Sequence, residues 1–204
     1  MERTPPRPAD DRVSADHSEE PRPALPRAYP SHYIFQFRLK DGAAVTIRPI
    51  RPEDEPLMVK FHATLSEQSV YLRYFCSMSL SARVEHERLV RICFPSYDHG
   101  MALVAEYKDP STGEAQILGV GRFSGTAEHR EAEAAILVSD QWQGKGLGAE
   151  LLAKVVQVAR AEKFRRLYGE ILRDNLATQA IFRKVGFRLS TFDDPTSVLA
   201  NLDL

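Results

Sequence analysis

Val138-Ser139-Asp140-Gln141-Trp142-Gln143-Gly144-Lys145-Gly146-Leu147-Gly148-Ala149 is the stretch on which the reading of this chain turns. It follows Glu133–Val138 (EAAILV), an apolar run with the residue types of a buried strand. It leads into Ala149–Glu162, where Leu151, Leu152, Val155, Val158 and Ala159 fall on one face of a helix. Glycines at 144, 146 and 148 leave main-chain N–H groups unobstructed, and the first N–H groups of the helix have no internal partner. The helix dipole adds partial positive charge at the same place. Strand, glycine loop and helix in this order form an anion site suited to a phosphate or diphosphate. A Walker loop needs Ser or Thr after Gly-Lys, and here Lys145 is followed by Gly146. Gly144, Gly146 and Ala149 do satisfy a dinucleotide fingerprint, with Glu170 near the place of its ribose-binding acid. Against that reading, five residues separate the strand from the glycines, and the residues after Ala149 are too few to complete an open nucleotide-binding sheet.

Outward from the loop the elements continue in both directions. Downstream, Arg166–Leu172 reads as a strand, Asn175–Val185 as a helix stopped by Gly186, and Phe187–Thr191 and Ser197–Leu202 as strands. Upstream lie two apolar strands, Met101–Tyr107 and Ile117–Phe123, joined by the turn-forming Asp109-Pro110-Ser111-Thr112-Gly113. Before them come three helices: one entered through Glu53-Asp54-Glu55, one from Ser66 to Tyr74, and one from Ser81 to about Cys93. The pattern begins with a hairpin, Tyr33–Phe37 and Val45–Ile50 around Asp41-Gly42. The order predicts an α+β domain with one β-α-β unit late in the chain.

Residues 1–30 differ in kind. Seven of the 13 prolines fall there, with five basic and six acidic residues and no apolar run. Such a segment cannot offset its chain entropy by burial, so a disordered tail is expected over 1–30 and a folded domain over 31–204. With 27 Lys+Arg against 28 Asp+Glu, the chain lacks the basic excess of a dedicated nucleic-acid binder. No apolar run approaches the ~20 residues a membrane span requires, and no signal-peptide core is present. Two cysteines and six histidines make no zinc cluster or disulfide framework. A cytoplasmic protein with no metal, no nucleic acid and no membrane partner is expected, as a monomer or homodimer.

Gln143-x-x-Gly146-x-Gly148 resembles the Q/R-x-x-G-x-G/A signature of the GNAT superfamily of N-acetyltransferases. Asn175, Ala180 and Gly186-Phe187 sit where that superfamily has its N…A…GF helix and strand. Val45–Asp54, Ser69–Phe75 and Met101–Glu106 look most like the GNAT domain of the bacterial protein lysine acetyltransferases of the Pat type. The resemblance covers about residues 41–190 and implies the acyl-CoA N-acyltransferase fold: a mixed, mostly antiparallel sheet, flanked by helices and splayed where coenzyme A binds. It implies acetyl-CoA as co-substrate, its diphosphate on the amides of Gln143, Gly144, Lys145, Gly146, Leu147 and Gly148. The pantetheine arm would run along Ile136, Leu137 and Val138, on a strand bulged near Val138, whose N–H region would meet the thioester oxygen. Asn175 would contact the arm; as a helix N-cap it also has an ordinary reason to be there.

The implied reaction is direct acetyl transfer to an amine in a ternary complex. Only about 0.04% of a lysine with pKa near ~10.4 is neutral at pH 7, so the site needs a base. Glu133 matches the glutamate of Pat-like enzymes and is the expected base, with Glu131 on the same strand face in reserve. The charge run Glu128–Glu131 also reads as a solvated strand edge. Many relatives place a proton-donating tyrosine where this chain has Phe182. Cys76 and Cys93 are expected as buried structural thiols and Trp142 as a packing anchor; Arg73 and Tyr74 lie on the helices that the resemblance places along the acceptor side, for packing as much as for substrate contact. The expected acceptor is the ε-amino group of lysine in a protein such as a metabolic acyl-CoA synthetase. A small-molecule amine, a protein N-terminus, or a non-catalytic acyl-CoA-binding role (for which Phe182 speaks) are the alternatives.

Overall fold

The computed structural model describes residues 28–93, 99–126, 130–191 and 194–204. Its hairpin strands are β1 (Phe35–Arg38) and β2 (Ala44–Pro49), in antiparallel register with Phe35 opposite Ile47. Four helices follow: α1 (Glu55–Ala63), α2 (Glu67–Tyr74), α3 (Leu80–Arg83) and α4 (His86–Cys93). Then come β3 (Gly100–Lys108), β4 (Ala115–Thr126) and β5 (Glu131–Val138), helix α5 (Leu147–Ala161), strand β6 (Arg166–Leu172), helix α6 (Leu176–Val185), and strands β7 (Arg188–Thr191) and β8 (Ser197–Asp203). One eight-stranded sheet runs β1-β2-β3-β4-β5-β6-β8-β7. Every neighbouring pair is antiparallel except β5 and β6.

The sheet has a core on each face. Leu151, Leu152, Val155 and Val158 of α5 and Phe182 of α6 pack with Ala132, Ala134 and Val138 of β5. On the other face Met58 and Phe61 of α1, Val70 of α2 and Leu89 of α4 pack with Ala102, Val104 and Ile117. Odd and even residues of β5 therefore look to opposite sides, as strand pleating requires. Glu131 and Glu133 share the α1–α4 side. Among the described residues no helix is long and apolar enough to cross a membrane.

Caps set the helix ends. Ser66 Oγ accepts from Ser69 N at 3.2 Å to open α2, which ends where Phe75 turns left-handed at φ 63. Asn175 Oδ1 accepts from Thr178 N at 3.1 Å to open α6, and Gly186 at φ 109 closes it. A closed ion cluster holds the entry to α1. The buried Arg48 guanidinium reaches Asp54 Oδ1 at 2.6 Å and Glu106 Oε2 at 2.6 Å, while Asp54 also accepts from Arg51 N at 2.9 Å. Burial alone would lower the Arg48 pKa; its hydrogen bonds to Asp54 and Glu106 carry it above the ordinary arginine value.

Two expectations need correction. The helix expected from Ser81 to about Cys93 is two helices. Arg83 is drawn inward, its Nη1 donating to the His62 carbonyl at 3.0 Å, and the chain leaves helical hydrogen bonding at Val84 before α4 restarts. Cys93 is buried as expected, its thiol pushed up to about 12 by burial and by Asp54 and Glu55, but Cys76 is exposed beyond the end of α2. Of the tail, residues 1–27 lie outside the described residues; Tyr29 and Pro30 already rest on the domain, with Tyr29 Oη donating to the Pro49 carbonyl at 2.9 Å.

Candidate functional site

β5 and β6 pair only from Glu131↔Arg166 to Glu133↔Tyr168, and then part. β4 stays on β5 as far as Val138, and β8 stays on β6 as far as Leu172, so the two strands diverge with one edge of each left open. Ser139 N donates to the Leu118 carbonyl on the β4 side at 2.9 Å. Alternation along the strand therefore turns the N–H groups of Val138 and Ile136 toward the gap. The gap holds a cavity of about 220 Å³ walled by Glu133 to Val138, Gly148, Asn175 and Ile181. The Val138 carbonyl is already satisfied, accepting from Gln143 Nε2 at 3.1 Å. The expected bulge at Val138 is not there: β5 keeps an unbroken register on β4, and the sheet's irregularity falls between Ala105 and Glu106 of β3. Divergence of β6 alone opens the site.

The glycine loop borders this gap. Gly144 and Gly146 stand at φ 73 and 93, in the left-handed region where a side chain would strain the backbone. Gln143 N donates to the Asp140 carbonyl at 3.3 Å, whereas the amides of Gly144 through Ala149 are taken by no other described residue. The run of main-chain amides without a described partner thus begins at Gly144, and the Gln143 side chain braces the loop. Leu147 is buried in the core, so it offers the site only its amide. Gly148 lets the helix approach: a Cβ there would stand 3.1 Å from Ile181 Cδ1 and 3.5 Å from Ile136 Cδ1. Lys145 Nζ lies 2.9 Å from Asp41 Oδ2 and 4.2 Å from the centre of the Trp142 ring, which itself packs on Tyr107 as an anchor.

A second brace escaped the sequence reading. Asp140 accepts from Ser66 N at 2.9 Å, Ser66 Oγ at 2.7 Å and Ser69 Oγ at 2.9 Å. Burial would raise its pKa, but these hydrogen bonds hold it below the usual carboxylate range. Gln143 Nε2 also donates to Ser69 Oγ at 3.2 Å. The available signal was two serines in the first turn of α2 and a carboxylate right after a buried strand, residues some 70 positions apart that only the fold brings together.

The two candidate bases separate. Glu133 lines the gap cavity and also an open depression of about 580 Å³ shared with Glu131, Tyr168 and Glu170. Glu131 lines only the depression and pairs with Arg166 at 3.5 Å. Asn175 both caps α6 and faces the gap. Phe182 is buried at the gap wall, edge-on to Phe187 with ring centres 4.7 Å apart, and has no proton to give.

On the other side of β5, a cavity of about 520 Å³ lies among α1, α2, α4 and β4. It shares Arg73, Ala135, Ile136 and Leu137 with the gap, so the two open on the same length of β5. Tyr74 stands between two guanidiniums there, 5.3 Å from Arg73 and 5.0 Å from Arg88. Burial first, then the charge of Arg122, pushes Arg73 below its ordinary value, with Tyr74 and Glu133 pulling the other way.

A family model described as "Acetyltransferase (GNAT) domain" matches residues 44–188. Acetyltransferase PA5475 of Pseudomonas aeruginosa is 30% identical over 167 residues, covering 81% of this chain and 87% of that protein. Acetyltransferase Pat of Mycolicibacterium smegmatis is 25% identical over 150 residues, 73% of this chain but 43% of that longer protein. The crystal structure of the GNAT domain of S. lividans PAT is similar with a TM-score of 0.77 and 28% identity, over 87% of this chain and 100% of that one. With a splayed β5–β6 pair, a glycine loop offering free amides and these matches together, the chain belongs to the GNAT acetyltransferases and is an acetyl-CoA-dependent N-acetyltransferase.

Proposed function

We propose that this chain acetylates the ε-amino group of a lysine in a protein substrate, with a metabolic acyl-CoA synthetase as the first acceptor to try. The observation that carries the reading is the position of Glu133, whose side of β5 faces the acceptor helices while the residue also lines the gap where β5 and β6 part. Support for a protein acceptor comes from the resemblance of Val45–Asp54, Ser69–Phe75 and Met101–Glu106 to the protein lysine acetyltransferases of the Pat type.

Amides of Gly144 to Ala149 would hold the diphosphate, and the open main-chain edge of Ile136 and Val138 would hold the pantetheine arm as an added strand. Bound acetyl-CoA supplies the acetyl group as a thioester. Val138 N–H, turned into the gap with no sheet partner there, would donate to the carbonyl oxygen as negative charge grows on it. Glu133 would take the ammonium proton, directly or through one water, so that the amine nitrogen can bond to the carbonyl carbon as the carbon–sulfur bond breaks. The electron pair of that bond leaves with sulfur, and the second proton on nitrogen, acidic once nitrogen has bonded to carbon, passes to solvent or to the departing sulfur. A thiol pKa near ~8.5 makes the thiolate a tolerable leaving group, so Phe182 at the wall is compatible with turnover.

Transfer of labelled acetyl from acetyl-CoA to a purified acyl-CoA synthetase tests the acceptor, with Glu133→Gln and Glu131→Gln as variants. Loss of a general base should lower kcat for Glu133→Gln by about 10²–10⁴-fold while the KM for acetyl-CoA stays put. Glu131→Gln should stay within about threefold. Unchanged turnover in Glu133→Gln would remove it as the base, and absence of label on the synthetase with every variant would remove that acceptor.

A further inference from the structure

We infer that the cavity on the α1–α4 side of β5 is an anion subsite for the acceptor, built to take a carboxylate carried near the reactive amine. Arg73 of α2, Arg88 and Arg91 of α4 and Arg122 of β4 line this one space of about 520 Å³, and Glu85 is the one acid beside them among the described lining residues. None of the four guanidiniums forms an ion pair with a described residue. Two of them rest on the Tyr74 ring, a contact that leaves their in-plane N–H groups available to an oxyanion. Arg48, by contrast, is buried with two carboxylates closed on it, whereas Arg73, Arg88 and Arg122 are half-buried and Arg91 exposed.

His62 is the second, independent sign. It is 1% exposed, lines the same cavity, and neither ring nitrogen has a hydrogen-bond partner. Such a group costs free energy unless something in the cavity bonds to it. Burial first, and then the charges of Arg83 and Arg88, lowers its pKa to about 4, so at neutral pH it offers one N–H and one lone pair. Arg88 Nε is likewise buried without a partner. Unspent donors of both kinds therefore converge on a space that opens onto Ala135 to Leu137, the stretch of β5 that also walls the gap. An acceptor whose amine enters beside Glu133 would place an attached acid among them. A free amino acid brings that acid as its α-carboxylate, and a lysine in a protein brings it as a flanking Asp or Glu.

The inference rests on the amine-acetylating reading only for what the subsite serves; binding is read apart from turnover. Calorimetry on the protein loaded with coenzyme A compares two matched pairs of probes. One pair is a lysine peptide flanked by Glu against the same peptide flanked by Gln. The other is a free amino acid, L-glutamine, against its α-carboxamide. In at least one pair the acid-bearing member should bind about tenfold tighter or more, an effect of the size expected for one charge-assisted contact. That preference should fall to within about twofold in Arg122→Gln and in Arg91→Gln, with coenzyme A affinity unchanged in both. The pair that shows the preference identifies the source of the carboxylate. Equal binding within both pairs, no binding of any probe, or a preference that survives both arginine substitutions would overturn the subsite. A preference without acetyl transfer to any probe would leave the subsite standing and count against the catalytic reading alone.

Discussion

Two groups of arginines in this protein live under opposite rules. Arg48 sits between Asp54 and Glu106 with contacts of 2.6 Å to each, every charge answered inside the fold. Arg73, Arg88, Arg91 and Arg122 surround a cavity in which no described carboxylate pairs with them, beside an imidazole with no hydrogen-bond partner. The first arrangement fixes the entry to α1. The second leaves like charges facing one another, which lowers stability and is tolerable where a ligand brings the missing charge. The contrast separates arginines that hold the fold from arginines held in readiness by it.

Breaking the first arrangement should have the largest effect. Arg48→Met strands the Asp54 carboxylate at 1% exposure, and removal of one partner from a buried pair costs about 3–5 kcal/mol, read as a lower urea midpoint. A loss under about 1 kcal/mol would erase the distinction. Acid should act next, and on the cavity. The His62 pKa of about 4 lies below its ordinary 6.5, so the unfolded chain binds the proton more readily than the folded one. Its contribution to stability is therefore fully present above pH 6.5 and is lost as pH falls toward 4, at up to ~1.4 kcal/mol per pH unit. His62→Leu should flatten that part of the pH–stability curve; an unaltered acid slope would show that the imidazole is not held neutral. The smallest effect belongs to Arg122→Gln. With no ion pair to lose and less repulsion near Arg73, its stability should match or exceed the parent's within about 0.5 kcal/mol, whereas a loss above 1 kcal/mol would mean a hidden structural partner.

Legibility in the sequence followed the range of the interactions. Local signals were sufficient for the late half: β6 is Arg166–Leu172 as read, and α6 starts after Asn175 and stops at Gly186, because a cap and a left-handed glycine declare themselves in a few residues. The glycine loop was equally plain, though only the geometry shows the Gln143 side chain bracing it through the Val138 carbonyl. Periodicity alone could not show the break at Val84, beside which Arg83 reaches the carbonyl of His62 in another helix. The gap was foreseen only through family resemblance, since divergence of two strands leaves no pattern in either. Least legible was the cationic cavity. His62, Arg73, Arg88, Arg91 and Arg122 come from α1, α2, α4 and β4, and near-neutral overall charge conceals their convergence.

The brace from α2 to the glycine loop carries a consequence for timing and distance. Gln143 ties Ser69 to the carbonyl of Val138, and Asp140 ties Ser66 and Ser69 to the end of β5. The helix bearing Arg73 and the strand bearing Glu133 are thus fastened at a common joint beside the glycine loop. If acetyl-CoA and the amine bind as proposed above, this framework would fix the stand-off between them like the throat of a fixed-gauge tool, and neither would have to spend its own binding to find the other's range.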